Sequence, residues 1–298
     1  MSRVIQRARK SGAAPEPDVF VPGDTASLRA WDRVKLARHP DRPHTLDYIE
    51  ELMTDFVELH GDRTFGDDHA LIGGLANFAG RTVIVIGHQK GRNTKENIHR
   101  NFGMARPEGY RKAERLMRHA GKFGMPVITF IDTPGAEPGI GSEERGQSTA
   151  IAESLLTMAG LRTTIVAVVI GEGGSGGALA IGLADRVLML ENAIYSVASP
   201  EASATILWKD VAKASDAASS MKITALDLYG FGMIDEIVPE AHAAHERPRE
   251  VIAATGSAIR RHLGDLHAQT RQENGMDELV RHRYEKFRRI GAWTETAS

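Results

Sequence analysis

Apolar residues along this chain alternate between two spacings, and each change of spacing marks a change of element. The runs 71–78 and 81–87, joined at Ala79-Gly80, read as a strand pair of a half-buried sheet. A longer apolar run over 125–131 has the character of a buried strand, and 163–170 repeats it. Ahead of the first of these, Tyr110, Ala113, Leu116, Met117 and Ala120 fall on one face of a helix that opens at Pro107-Glu108. Ahead of the second, Ile151, Leu155, Met158 and Ala159 recur at the three-to-four spacing of another helix.

The flanks carry more helix than strand. Residues 31–37 have a helical pattern that stops at Pro40, and Thr45 is placed to cap a helix over 46–59. Downstream, 186–190 and 194–197 are short apolar runs, and Ser199-Pro200-Glu201 opens a helix with proline at its first position. Helical segments over 216–221 and 224–229 end where Gly230 and Gly232 break the chain, 234–238 reads as a last edge strand, and 247–263 and 276–290 close as helices. Strands alternating with helices predict an α/β core whose sheet is covered on both sides.

Composition narrows the setting. The chain has 298 residues, 42% hydrophobic and 26% charged, which suits a globular protein and favours one large domain over 25–298. Residues 1–10 are basic but lack an apolar core, so they predict neither a secretory signal nor an anchor. With Pro15, Pro17 and Pro22 following, 1–24 is expected to be a disordered or extended tail. No apolar run approaches the roughly 18 residues of a membrane span, so a soluble, cytoplasmic protein is expected. A net charge of −2 gives no support to general nucleic-acid binding. Zero cysteines removes disulfides, thiolate nucleophiles and cysteine zinc sites together, and no pair among the 12 histidines has metal spacing, so no metal is expected.

The candidate chemistry lies in Gly171-Glu172-Gly173-Gly174-Ser175-Gly176-Gly177-Ala178, directly after the 163–170 strand and directly before a helix. Glycines here allow positive φ and close approach of backbone to a ligand, and first-turn amides without helical acceptors face outward as anion donors. Three readings compete. Gly171, Gly173 and Gly176 fit a dinucleotide fingerprint, with Glu191 placed to hold a ribose. Gly173, Ser175 and Gly177 fit a nucleophile elbow, with His242, His245 and His262 as possible bases. The third reading is an oxyanion hole of backbone N–H groups alone. A Walker A loop is excluded, because no Lys-Ser/Thr follows.

A second loop of the same design favours the third reading. The 125–131 strand leads into Asp132-Thr133-Pro134-Gly135-Ala136-Glu137-Pro138-Gly139-Ile140-Gly141 and then into a helix, so strand, glycine loop and helix occur twice in succession. One site with two backbone-lined walls is implied.

The ordered set of motifs has a recognisable counterpart. Ile86-Gly87-His88-Gln89-Lys90-Gly91, Asn101-Phe102-Gly103-Met104, Pro107-Glu108-Gly109-Tyr110-Arg111-Lys112-Ala113, Phe130-Ile131-Asp132-Thr133-Pro134-Gly135-Ala136 and Glu143-Glu144-Arg145-Gly146-Gln147, together with the glycine run, resemble the carboxyltransferase alpha subunit family of bacterial acetyl-CoA carboxylase. The resemblance is collinear from about Trp31 to the last helix. It implies a crotonase-like α/β fold, a spiral of β-β-α units with N-terminal and C-terminal helices, in which glycine-loop helix starts stabilise acyl-derived oxyanions. The family's reaction moves a carboxyl group from carboxybiotin to acetyl-CoA, giving malonyl-CoA for fatty acid biosynthesis.

Partners and cofactors follow from the same resemblance. The alpha subunit works with a beta subunit of similar fold in an alpha-two, beta-two core. Biotin is carried on a separate biotin carboxyl carrier protein, and ATP is used by a biotin carboxylase in the larger assembly. Zinc is expected only in the cysteine ribbon of the beta subunit, which a chain without cysteine cannot be. Given that reaction, the ureido oxygen of biotin is expected against the N–H groups of Gly176 and Gly177, which lie closest to the predicted helix start, with Gly173, Gly174 and Ser175 completing that loop and Gly135 and Ala136 forming the facing wall.

Remaining features are weighed against plain structural roles. Ser175 reads as a small residue in a crowded turn, and Met221-Lys222 as an exposed lysine and not a biotin attachment site. His88, Lys90, Arg92 and Lys95 form a basic cluster that either meets coenzyme A phosphates or an acidic carrier, or is a solvated loop. Glu143-Glu144-Arg145 is read as a helix N-terminal charge pattern. Two departures from the family pattern stand out. Glu137 replaces an aromatic residue, commonly tyrosine, and the N-terminal helical region is shorter than usual.

Overall fold

The computed structural model describes residues 27–291, so the tail expected at 1–24 lies outside the described residues. In chain order the elements are α1 (Ala30–Ala37), α2 (Thr45–Leu52), β1 (Thr54–Glu58), β2 (Leu71–Phe78), β3 (Arg81–His88), α3 (Thr94–His99), α4 (Pro107–Phe123), β4 (Val127–Thr133), α5 (Ile140–Glu144), α6 (Gln147–Gly160) and β5 (Ile165–Gly174). They continue as α7 (Ser175–Leu179), β6 (Arg186–Leu190), β7 (Ile194–Ser196), α8 (Pro200–Trp208), α9 (Ala214–Met221), α10 (Ala225–Gly230), β8 (Glu236–Val238), α11 (Pro248–Thr270) and α12 (Gly275–Arg288).

Local chemistry sets the sheet. Ala79 and Gly80 both take positive φ, 51° and 81°, as the two-residue turn of a right-twisted hairpin demands, and β2 and β3 pair antiparallel from Leu71↔His88 to Phe78↔Arg81. Beyond the hairpin, β3, β4, β5, β6 and β8 run parallel, each pair needing a crossover; α4 and α6 supply those on either side of β4. The order is β1-β2-β3-β4-β5-β6-β8, with β7 pairing the far end of β5. Burial follows topology: β4 and β5 are buried along their whole length, as parallel strands between two helical layers must be. The predicted face of α4 is buried throughout, at Tyr110, Ala113, Leu116, Met117 and Ala120.

Four expectations need correction. The helix predicted over 46–59 ends at Leu52, because Thr54–Glu58 gains more by pairing with the edge of β2 than by prolonging the helix. Thr45 does not cap α2. The cap position is His44, whose N–H donates to the Asp47 carboxylate (2.6 Å), while Thr45 Oγ1 donates to the carbonyl of His88 (2.5 Å). The buried face of α6 is Ala150, Ser154 and Met158; Ile151, Leu155 and Ala159 lie beside it, half-buried. Ser154 occupies the core because its hydroxyl donates to the carbonyl of Ala180 (2.6 Å). Finally, the β2–β3 pair is not half-buried: β3 is buried from Val83 onward.

Candidate active site

The glycine run divides between two elements. Residues up to Gly174 continue β5, and α7 begins at Ser175. Glycine is not used here for positive φ, since the residue of the run that takes it is Ser175, at 50°. It is used for proximity. A Cβ on Gly171 would lie 2.4 Å from Asp132 Oδ1, one on Gly173 2.8 Å from the Tyr195 ring, and one on Gly174 2.2 Å from the carbonyl oxygen of Pro134. Gly176 is the exception, with nothing nearer than Ile151 Cδ1 at 3.6 Å.

The second loop meets the first at Gly177. A Cβ there would sit 2.6 Å from the amide nitrogen of Ala136, 2.7 Å from the carbonyl carbon of Gly135 and 2.9 Å from Tyr110 Oη. The sequence-predicted residues Gly135, Ala136 and Gly177 are therefore brought into contact. Their amides are not equivalent. The N–H of Gly135 (φ 155°) donates to Thr133 Oγ1 (3.1 Å), whereas that of Ala136 has no acceptor among the described residues. Gly176 and Gly177 lie in the first turn of α7, where amides have no intrahelical acceptor.

Behind the loops lies a layer of buried charge. Lys90 Nζ donates to Asp132 Oδ1 (2.6 Å), and the same oxygen accepts the N–H of Glu172 (3.0 Å). Burial raises the Asp132 carboxyl, but Lys90, His44 and the N–H of Glu172 together outweigh it and the pKa is lowered. Arg38 reaches from the end of α1 to both Glu172 and Glu201, at 2.6 Å each. His88 is fully buried with neither ring nitrogen hydrogen-bonded, and burial lowers its pKa to about 4, against the pull of Asp132 and of the backbone at Gly177 and Phe130. The basic cluster expected at 88–95 is thus divided, with Arg92 and Lys95 exposed. His88 and Lys90 face inward, and Arg92 is held by Asp47 and by the carbonyl of Arg42 (2.9 Å).

Glu137 has a local role that replaces an aromatic contact. Its carboxylate accepts the N–H of Gly139 (3.0 Å) and the hydroxyl of Ser142, tying down the start of α5. Beside it a cavity of about 500 Å³ is lined by Phe65, Arg106, Glu108, Ser142 and Arg145 among others. Arg145 ends α5, so Glu143-Glu144-Arg145 is not a helix N-terminal pattern as a whole; the guanidinium pairs with Glu108 (3.1 Å) and stacks 4.5 Å from the Phe65 ring centroid.

The rival readings lose their partners. Glu191 is fully buried and accepts the N–H of Glu240 (3.0 Å), leaving it unable to hold a ribose. His262 Nε2 is against Glu236 (2.7 Å), the His245 ring stacks on His39 at 3.8 Å, and His242 lines a separate cavity with Asp32 and Lys35. Lys222 is exposed at the end of α9. No group of three or more metal-ligating side chains occurs among the described residues.

A profile described as acetyl co-enzyme A carboxylase carboxyltransferase-like matches residues 23–291. The chain belongs to that family. Among curated relatives, the acetyl-coenzyme A carboxylase carboxyl transferase subunit alpha of Geobacillus kaustophilus is 57% identical over 292 residues, covering 98% of this chain and 87% of the relative. That of Anoxybacillus flavithermus is 56% identical over 275 residues, with coverage of 91% and 82%. In solved structures, a transcarboxylase 12S structure with methylmalonyl-coenzyme A bound matches at TM-score 0.58 and 20% identity over 83% of this chain. The match takes up about half, 47%, of the transcarboxylase chain. The beta subunit of geranyl-CoA carboxylase from P. aeruginosa matches at TM-score 0.58 and 15% identity, covering 82% of this chain and 46% of that one. These likenesses establish the fold as the crotonase-like α/β architecture that the motif order implied.

Within this carboxyltransferase family fold, the buried layer went unread in the sequence. Tyr110, His88 and Asp132 sit inside quoted motifs, yet apolar periodicity treats Tyr110 as core and charge counting treats His88 as surface. The available signal was polarity itself: a histidine at the end of an otherwise apolar strand.

Proposed function

We propose that this chain is the alpha subunit of an acetyl-CoA carboxylase carboxyltransferase, and that its two glycine loops form the oxyanion site for carboxyl transfer to acetyl-CoA. The observation that carries this reading is the convergence of the unpartnered Ala136 amide with the first-turn amides around Gly177. The reading favours Ala136, with Gly176 and Gly177, as donors, and leaves Gly135 as the residue that allows the close contact. Gly173 and Gly174 then set the approach of β5 to the second loop, and Ser175 turns the chain into α7.

Donors fixed in place before reaction cost no reorganisation when charge develops, and losing one costs roughly 3–4 kcal/mol in other enzymes. Carboxybiotin, delivered on a separate carrier protein, would supply the carboxyl group and, once that group has left, the base that takes a proton from the acetyl methyl group. This chain's part is to hold the oxygen that gains charge, using amides that donate hydrogen bonds and keep their protons. Lys90 and Asp132 keep the floor of the site rigid and neutral as a pair.

A beta partner completes the reading. Ile140 in α5 and Leu179 in α7, on the helices that follow the two loops, are exposed by 79% and 44%. Apolar side chains concentrated there suit cover by a second subunit, which would bring the thioester and any zinc. The cytoplasm suits the same reading, and no helix of the described residues is long and apolar enough to cross a membrane. The test is the reverse reaction: the chain co-expressed with a beta partner, supplied with malonyl-CoA and biocytin, should form acetyl-CoA only when biocytin is present. An intact complex without biocytin-dependent turnover sinks the proposal.

A further inference from the structure

Tyr110 is fully buried, and its hydroxyl has no hydrogen-bond partner. A buried hydroxyl left unpaired is destabilising, a cost that a phenylalanine at the same place would avoid. The group therefore calls for an explanation in what it faces. It faces the junction of the glycine loops. The point where a Gly177 Cβ would stand is 2.6 Å from the Ala136 nitrogen and 2.9 Å from Tyr110 Oη, so the free amide and the free hydroxyl both pack against Gly177 from different elements. Tyr110 comes from the first turns of α4, Ala136 from the loop after β4, and Gly177 from α7.

We propose that the Tyr110 hydroxyl is a side-chain donor of the oxyanion site, completing the backbone donors with a third kind of group when the reacting oxygen is bound. This rests on the carboxyltransferase reading above and adds to it a residue that touches the reacting oxygen. Burial, with the nearby Asp68 carboxylate adding to it, pushes the phenol pKa above its ordinary value, so the proton stays on the hydroxyl throughout the working range and remains available for donation. The bond formed is a hydrogen bond alone; the phenol keeps its proton. The second buried polar side chain at Gly177, His88, is not assigned this role, because its neighbours there are the backbone of Gly177 and Phe130 and the Lys90–Asp132 pair, not the free amide.

The test compares wild type with Tyr110→Phe, each co-purified with the beta partner, in the biocytin-dependent decarboxylation of malonyl-CoA. Thermal unfolding is followed with and without biocytin. The expected result is a fall in kcat on the order of 10²-fold with KM for malonyl-CoA nearly unchanged. The melting temperature of the unliganded variant should equal or exceed that of wild type, since an unsatisfied hydroxyl has been removed, and the rise produced by biocytin should shrink. Turnover within twofold of wild type overturns the assignment. So does a variant that melts lower without ligand or fails to assemble, because the hydroxyl would then have a structural partner. Wild type that itself lacks biocytin-dependent turnover refutes the carboxyltransferase reading, and the assignment falls with it.

Discussion

Arg42 and Glu240, 198 positions apart, form a bidentate ion pair with both side chains buried, Nη2 to Oε1 at 2.6 Å and Nη1 to Oε2 at 3.1 Å. The pair stands under the glycine strand, where Arg42 Nε donates to the carbonyl of Ile170 (2.7 Å), one residue before Gly171. Glu240 is in turn held by the N–H groups of Asn192 (3.0 Å) and Ala244 (2.9 Å). A segment before the sheet and a segment after it thus clamp β5 where it enters the site.

Breaking one side of that pair leaves a buried charge without its counter-charge, which typically costs about 3–5 kcal/mol. Glu240→Leu or Arg42→Met alone should therefore lower the unfolding free energy measured by urea denaturation by that order. The double variant should be less destabilised than the sum of the singles, because the two groups act as one unit. Additive losses in the denaturation series would show the pair to be independent contributors.

His88 should make stability depend on pH in a specific window. Its pKa is lowered by burial to about 4 from the ordinary 6.5. Between those values the unfolded chain binds a proton that the folded chain refuses, so stability rises with pH across the window and is lost as pH falls from 6.5 towards 4. At 1.36 kcal/mol per unit the full loss is about 3 kcal/mol. Unfolding measured at several pH values should show this slope in wild type and a flatter one in His88→Gln; equal slopes would place the titration elsewhere.

The two adjacent glycines at the start of α7 should respond differently to alanine. At Gly177 the new methyl group would meet the backbone of Ala136 and Gly135 at 2.6 and 2.7 Å, and neither can move without displacing the second loop. A misplacement of about an ångström near the reacting atoms costs on the order of 10²-fold in rate, which is the loss expected for Gly177→Ala. At Gly176 the nearest atoms are side-chain carbons of Ile151 beyond 3.5 Å, and the amide is kept. Turnover of Gly176→Ala should stay near wild type, with a helix more stable by about 1 kcal/mol or less.

How much of this was legible depends on the range over which each feature is determined. The Ala79-Gly80 corner and the apolar face of α4 are set by neighbours in sequence, and both match the pattern read from the residues. So are the two glycine loops and their order. β1 was missed because Thr54–Glu58 pairs with β2 some twenty residues on, and without that partner its apolar residues fit a helix as well as a strand. The inward turn of Lys90 and the tethering of Arg92 were missed for the same reason, since Asp132 and Asp47 lie 42 and 45 residues away. The glycines of the proposed site stand out in the sequence, but which amides are free does not. Gly135 loses its donor to Thr133 Oγ1, a local turn that the letters Thr-Pro-Gly do not announce.

Ser175 separates the carboxyltransferase reading from its hydrolase rival most directly. The residue takes φ 50°, a left-handed conformation that a side chain disfavours by roughly 1–2 kcal/mol. Such strain at a strand-to-helix turn is also the geometry of a nucleophile elbow, so conformation alone does not divide the two readings. Chemistry does. A nucleophilic serine needs a base, and His242, His245 and His262 are each engaged elsewhere. On the present reading position 175 serves only to turn the backbone into α7 so that the amides of Gly176 and Gly177 face the second loop. Ser175→Ala should then keep biocytin-dependent turnover within about twofold, with stability changed by no more than about 0.5 kcal/mol. Ser175→Gly should be at least as stable as wild type, because it relieves the left-handed strain. Ser175→Val should lose more than 1 kcal/mol or so, because a β-branched side chain resists that region most. A fluorophosphonate should leave the serine unlabelled. Labelling at Ser175 together with loss of turnover in the alanine variant would reverse the assignment, since no backbone role can be abolished by removing a hydroxyl.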